Sequence, residues 1–557
     1  MATVAPFSST AYSAVPNTPT RSRTQSTTVS MYSDKDTLSP PSTPPRRPSA
    51  AFALTSARSS RRLPAIIVFG ALSVLAWTLL GRSGSSSHPL LSPAGRLQYN
   101  ARGKVAVDFE THELPEEWLC NPYKEPGKLI VDLDTPHNNI WKPYDETCET
   151  SQLMKGLLSE LKAKNESRNS RHRGPLRSHD SSRPTSKGES EAPLYPWLVN
   201  ATILMQGDSM ERLHLSDFCD FVGGELVNIS PNHTASPPTY RKQMPVVLGK
   251  DGKETQASID EREFRIAIED HWENRPNSWF YTRPWYCNIK EYNATLVSVF
   301  AWGMEDMEDA YAGEEFFHGP STWVQRFHHV TMPLLQNLAK HLDRPQILHP
   351  TMIELSAGFW DLRAMTEQDF ISRGIQRPYP MDSPIPFGNI GEEREKRWAG
   401  NAAEIIKLVA ETFQGEKGVR DGPMITWRSL HHPKRNNYTP YTRAFALDQL
   451  ARKVIHDLRV SSLATHPTVY SSARQAVFDT KDRLFASHHG EKDVIKGPAV
   501  DYGFDERLRV NEIGPLLLGQ QDQFKDFLHP NAIPGSYLWS DIMLYELKRT
   551  VLRIGRS

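Results

Sequence analysis

From residue 194 onward, short apolar blocks alternate with stretches in which apolar residues recur every three or four positions. The blocks Leu198 to Met205, Leu226 to Ile229, Thr295 to Ala301, Met352 to Leu355 and Met424 to Trp427 predict buried strands. Helical spacing predicts helices over Met210 to Phe221, Trp323 to His341, Glu404 to Phe413, Tyr441 to Leu458 and Ser536 to Leu552. In the last of these, Leu538, Ile542, Leu544, Tyr545, Leu547 and Val551 form the apolar face. Strands alternating with helices predict an α/β fold: a central, mostly parallel sheet with helices on both faces, hence three layers. No internal repeat interrupts the pattern.

The pattern upstream is different. Residues 1–62 are half Ser, Thr and Pro, lack apolar periodicity, and read as a disordered cytosolic tail. Residues 63–80, LPAIIVFGALSVLAWTLL, carry no charge. As a helix at ~1.5 Å per residue this run spans roughly 27 Å, enough for a thin bilayer, and it predicts a transmembrane helix acting as a signal-anchor. A cleaved signal peptide would lie nearer the start and be shorter. Arg46, Arg47, Arg58, Arg61 and Arg62 precede the run with no intervening acid, so the N-terminus is expected in the cytosol, a single-pass type II arrangement. Sequons at Asn165, Asn200, Asn228, Asn232, Asn293 and Asn437 all follow the run, which agrees with a glycosylated lumenal portion. Beyond it the chain divides into a stem (81–108), a small Cys-containing module (109–160), a Ser/Arg/Lys-rich disordered insertion (161–192) and a main domain (193–557).

Composition removes several function classes. The 65 basic and 65 acidic residues give zero formal charge, so the whole chain carries no nucleic-acid footprint. The four cysteines, Cys120, Cys148, Cys219 and Cys287, all lie after the apolar run, where disulfides persist. Four cysteines allow three connectivities; nearest-neighbour pairing is expected. None forms a C-x-x-C pair. The doublets His328-His329, His431-His432 and His488-His489 lack carboxylates at ligand spacing, so no metal is expected.

Two segments carry chemistry. Gln206-Gly207-Asp208-Ser209-Met210 follows the first strand and opens a helix. Asp526-Phe527-Leu528-His529-Pro530 lies near the C-terminus. Serine attacks well only when a base removes its proton, and that base is commonly a histidine oriented by a carboxylate. Ser209 fits the nucleophile, with its N–H at a helix N-terminus as one oxyanion donor. His529 fits the base and Asp526 its orienting carboxylate. Asp208 is expected to cap the helix.

This pair of motifs resembles the first and last blocks of the SGNH (GDSL-type) hydrolase superfamily. Within it the chain is similar to the PC-esterase and trichome birefringence-like branch of glycan O-acetyltransferases. The resemblance also rests on the anchor, on Cys120, Gly127, Val131-Asp132, Trp141, Tyr144 and Cys148 in the module, and on Arg212 three residues after Ser209. It implies an SGNH-like three-layer fold and acyl transfer, most simply of acetyl, onto a glycan or polysaccharide in the lumen of the Golgi or another secretory compartment. The superfamily's third block is often Gly-x-Asn-Asp; here Ser356-Ala357-Gly358-Phe359-Trp360-Asp361 puts Trp360 in place of Asn. Gly358 and Trp360 are therefore the expected further oxyanion contributors. Arg212, Trp360, Asp361 and Arg428 are the expected substrate contacts, with His431, His432 and Arg443 near the pocket. For the second block, Gly223, Gly224 and Gly303 all qualify.

Water as acceptor would make the same triad a glycan or lipid esterase, and a non-catalytic glycan-binding protein on this fold is the third alternative. No bound cofactor is expected beyond an acyl donor such as acetyl-CoA. Acetyl-CoA is charged and made in the cytosol, and one helix cannot transport it, so a donor-supplying membrane protein is a candidate partner.

Overall fold

Seven strands form the central sheet of this computed structural model, which describes residues 97–99, 105–107, 120–172, 195–275, 280–375, 388–416, 418–434, 439–465 and 500–554. The expected tail (1–62), membrane run (63–80), Asn437 and His488-His489 lie outside these residues. Among the described residues no helix is long and apolar enough to cross a membrane.

Two hairpins precede the sheet. Leu97–Tyr99 (β1) pairs with Val105–Val107 (β2), and Gly127–Ile130 (β3) with Ile140–Pro143 (β4), both antiparallel. The sheet then uses Thr202–Gly207 (β5), Glu225–Asn228 (β6), Trp285–Ile289 (β7), Ala294–Phe300 (β8), Met352–Leu355 (β9), Met424–Arg428 (β10) and Leu508–Asn511 (β11). Its order is β11-β10-β9-β5-β8-β7-β6. The segment from β11 to β8 is parallel, and β7 and β6 add an antiparallel edge to β8. The five expected strands are thus present. Trp285–Ile289 and Leu508–Asn511 were not anticipated, because Asn288, Arg509 and Asn511 interrupt their apolar pattern.

Strand burial shows why the sheet is central. All six residues of β5 and all seven of β8 are buried, as expected for strands covered on both faces. One face packs on the helices Met332–Leu342, Phe359–Ser372, Glu392–Thr412 and Tyr441–Thr465 through Leu204, Val297, Ile353, Leu355, Ile425 and Trp427. The other packs on Ser209–Val222 and Tyr537–Ile554 through Ile203, Met205, Leu296 and Met352.

The small module packs against that second helical layer. Cys120 is bonded to Cys148, and Cys219 on the helix Ser209–Val222 to Cys287 on β7. Tyr123 Oη donates to Asp541 Oδ2 at 2.5 Å, and Met154 N–H donates to Asp541 Oδ1 at 2.6 Å. The helix Leu153–His172 runs into the region expected to be a disordered insertion from residue 161. Met154, Leu157 and Leu161, at helical spacing, are buried with the C-terminal helix residues Leu538 and Ile542. That burial extends the order beyond residue 161; residues 173–194 lie outside the description.

Candidate active site

In this strand order the chain leaves β5 toward β8 and later returns to β9 on β5's other side. A crevice at the C-terminal ends of strands bordering such a reversal is the usual ligand position in open α/β sheets. Ser209 follows β5, and Ser356 follows β9.

The turn that carries Ser209 is built by its neighbours. Gly207 has no room for a side chain: a Cβ there would lie 2.2 Å from Glu211 Oε2 and 2.9 Å from Ser356 Cβ. Asp208 is extended (φ −98°, ψ −154°) and is the N-cap; its Oδ1 accepts from Met210 N–H at 2.8 Å. Glu211 returns the interaction, accepting Asp208 N–H at 2.7 Å, which completes a capping box. Ser209 therefore occupies the first turn of a doubly capped helix, half-buried, at the end of a buried strand.

The second half of the site is the loop at 523–531. Lys525 N–H donates to His529 O at 2.9 Å and Asn531 N–H to Gln523 O at 2.8 Å, closing the loop on itself. Inside it, Asp526 Oδ1 accepts both Leu528 N–H and His529 N–H at 2.7 Å. Asp526 Oδ2 lies 2.7 Å from His529 Nδ1. Burial alone would raise the Asp526 carboxyl, but the hydrogen bond and charge of His529 and the two backbone donors outweigh it and hold it at about 2. An ionised carboxylate only accepts, so Nδ1 carries the proton and Nε2 presents its lone pair. Nε2 lies 2.7 Å from Ser209 Oγ across 320 residues of sequence. Ser209, His529 and Asp526 are each partly exposed.

The other expected residues divide differently. Arg428, anticipated as a substrate contact, is wholly buried beneath the turn that carries Ser209. Its Nε donates to Glu211 Oε1, while Nη2 reaches Ser356 Oγ at 2.6 Å and Asp208 Oδ1 at 3.3 Å. Burial disfavours its charge, but Glu211 and Asp208 more than compensate, so the guanidinium stays protonated. Asp361, also anticipated at the substrate, is buried and accepts Met304 N–H at 2.9 Å. Burial raises its carboxyl to about 6, although the Met304 N–H lowers it. Arg212 donates from Nη1 to the carbonyls of Tyr281 and, at 3.3 Å, Phe280, fixing a loop. Arg443 is buried against Asp369 and the Gly388 carbonyl. Trp360 sits among Phe300, Trp302, Tyr311 and Phe316, with centroids 4.9 Å from Trp302 and 5.0 Å from Tyr311. It belongs to this aromatic cluster and is partly exposed.

Gly358 caps the helix Phe359–Ser372 at φ +143°, a conformation side chains rarely adopt, and a Cβ would meet Leu430 Cδ1 at 2.7 Å. Of the three glycines expected as second-block candidates, Gly223 and Gly224 lie at the C-terminal end of the helix Ser209–Val222, Gly224 against the Cys219–Cys287 bridge. Gly303 follows β8 beside Asp361, near the end of the sheet from which Ser209 emerges.

Two further groups were missed or undervalued. Glu211 was not singled out, although Asp-x-x-Glu before a helix is a capping-box signature. His431 is buried, and its Nε2–H donates to Leu528 O at 2.7 Å. Burial, then the Arg428 charge, lowers this imidazole to about 3, so it is neutral. Among the sequons, Asn165, Asn200 and Asn232 are exposed and Asn228 and Asn293 partly so. Among the described residues no group of three or more His, Cys, Asp or Glu is placed to hold a metal ion. The chain matches no protein family, no characterised protein and no solved structure.

Proposed function

We propose that this chain is a serine-dependent acyltransferase, an SGNH-like glycan O-acetyltransferase held in a secretory-pathway membrane by its N-terminal run. The observation that carries the reading is the line of contacts Ser209 Oγ to His529 Nε2 and His529 Nδ1 to Asp526 Oδ2, each 2.7 Å. It has the reach and proton inventory that acyl transfer through serine requires.

Ser209 Oγ attacks the acyl carbonyl of a donor while His529 Nε2 takes its proton. The carbonyl electrons move onto oxygen, where Ser209 N–H at the helix N-terminus stands as one donor to the developing charge. Collapse expels the donor's leaving group, which receives the proton from His529, and leaves an acyl-serine. A glycan hydroxyl then attacks the acyl-serine, giving its proton to His529. Ser209 recovers that proton as the acylated sugar leaves. Asp526 keeps the imidazole in the required tautomer throughout. The expectation of a lumenal, glycosylated domain favours a glycan acceptor over water.

The experiment is incubation of the protein with an activated acetyl ester, with and without oligosaccharides. Acetylated sugar formed by the native chain and absent with Ser209→Ala supports the proposal. Acetate release insensitive to added sugar makes the protein an esterase. Full activity in a folded Ser209→Ala variant refutes the serine mechanism.

A further inference from the structure

The nucleophile and the base come from opposite ends of the domain, and one segment touches the supports of both. It begins at the end of β10 and contributes no atom to the proton path. Arg428 holds Asp208, Glu211 and Ser356 under the nucleophile turn. Three residues on, His431 Nε2–H holds the Leu528 carbonyl, directly before the base. Lys434 N–H holds the Phe527 carbonyl at 2.8 Å. The segment is itself anchored. Ser429 N–H and Oγ–H both donate to Asn511 O, at 3.0 and 2.6 Å, and Ser429 Oγ accepts Gly514 N–H at 2.8 Å. Leu430 N–H donates to Asp448 Oδ1 at 2.9 Å. The His431 ring is wedged between Phe359 and Phe524, 5.0 and 5.4 Å between centroids.

We propose that Arg428 to Lys434 is a brace that sets the Ser209–His529 distance, with Arg428 as the positioning residue on the nucleophile side and His431 as the one on the base side. The inference rests on reading Ser209, His529 and Asp526 as the triad. His431 is the informative end. Buried, neutral and donating to a main-chain carbonyl, it cannot exchange protons with substrate, yet it fixes the peptide that carries the base. Removing that donor leaves the Leu528 carbonyl unmatched and frees the loop at 524–531. Misplacement of a base by ~1 Å costs on the order of 100-fold in rate.

The test uses the full chain as native protein, His431→Phe, His431→Gln and Lys434→Pro. Phe keeps a flat ring without a donor, Gln restores an N–H, and Pro removes the Lys434 N–H at an exposed position. Two quantities are read: the rate at which an alkyl fluorophosphonate labels Ser209, and amide deuterium exchange over 524–531. His431→Phe is expected to slow labelling about 100-fold. It is also expected to raise exchange at Leu528 and His529, and to lower kcat for an acetyl ester without changing KM. His431→Gln should recover part of the labelling rate, and Lys434→Pro should slow labelling about tenfold. Should His431→Phe fail to fold, Lys434→Pro and His431→Gln carry the comparison. Labelling within about threefold of native in the variants, with unchanged exchange over 524–531, overturns the brace. A native chain that is not labelled refutes the triad reading; raised 524–531 exchange in the same variants would still support the brace.

Discussion

Replacing Asp526 by Asn tests the proposed site most sharply, because the surrounding hydrogen bonds dictate which way the amide points. Asp526 Oδ1 accepts two main-chain donors, Leu528 N–H and His529 N–H, both at 2.7 Å. An Asn oxygen satisfies both, whereas an Asn NH2 would face two donors, so the oxygen must stay there. The NH2 then faces His529 Nδ1 in place of Oδ2. Nδ1 has to accept that donor, which moves the imidazole proton to Nε2, and Nε2–H points at Ser209 Oγ from 2.7 Å. A base that already carries a proton there cannot take the serine's. The expected loss in kcat is about ten-thousandfold, about 5 kcal/mol of transition-state stabilisation. The stability loss is far smaller. Asp526 is depressed to about 2 from an ordinary 3.8, so its contribution is present above about pH 3.8 and disappears as pH falls through 2. For this partly exposed group, after solvent screening, that is about 1–2 kcal/mol. The assay is turnover of an activated acetyl ester by native protein, Asp526→Asn and Asp526→Ala, beside urea unfolding of each. Asp526→Asn should fold, bind the ester with similar KM and turn it over no faster than Asp526→Ala. Turnover within tenfold of native by a folded Asp526→Asn would refute the assignment of His529 as base.

Arg428→Met leaves Glu211 and Asp208 as uncompensated buried acids and should destabilise the fold by about 3–5 kcal/mol in urea unfolding; a loss below 1 kcal/mol would show that the network is not charged. Glu354 is buried, and burial and then the Glu211 charge raise its carboxyl to about 7 despite Asn511 Nδ2 at 2.6 Å and Trp539 Nε1 at 2.9 Å. The folded chain therefore keeps this proton to about pH 7 while the unfolded chain loses it near 4.5, so its contribution is complete below 4.5 and falls as pH rises through 7, by about 3 kcal/mol. A Glu354→Gln variant whose urea midpoint falls as steeply as native across that window would exclude Glu354 as the source. Removing the Cys219–Cys287 bridge, which closes a 68-residue separation, should cost about 4 kcal/mol on the chain-entropy argument. Unfolding of a Cys219→Ser, Cys287→Ser double variant checks it, and an unchanged midpoint would show that the bridge contributes no stability.

What the sequence made legible, and what it did not, follows from how local each determinant is. The strands β5, β8, β9 and β10 are buried on both faces, so their apolar blocks stand out in one dimension. β11 was invisible because its Asn511 is matched by a carboxylate on β9, Glu354, 157 residues away. The meeting of Ser209, His529 and Asp526 was legible because each half is a compact motif: a strand, a Gly-Asp-Ser turn and a helix in one place, a single loop holding Asp526 and His529 in the other. The substrate assignments fared otherwise for Arg428 and Asp361. A polar residue after a buried strand reads equally well as a pocket wall or as a buried tie, and only the distant partners Glu211 and Met304 decide between them. Asp208 and Glu211 show the intermediate case. Their spacing predicts a capping box, but a capping box ordinarily faces water; here it lies over Arg428, whose guanidinium has no exposure. Two acids and an arginine without solvent are tolerable only as a matched set, since removing one strands the others. The same set fixes the turn from which Ser209 projects. On the proposed reading of Ser209 as the nucleophile, the role of this buried set is alignment, which apolar side chains of similar volume would not provide even at lower desolvation cost.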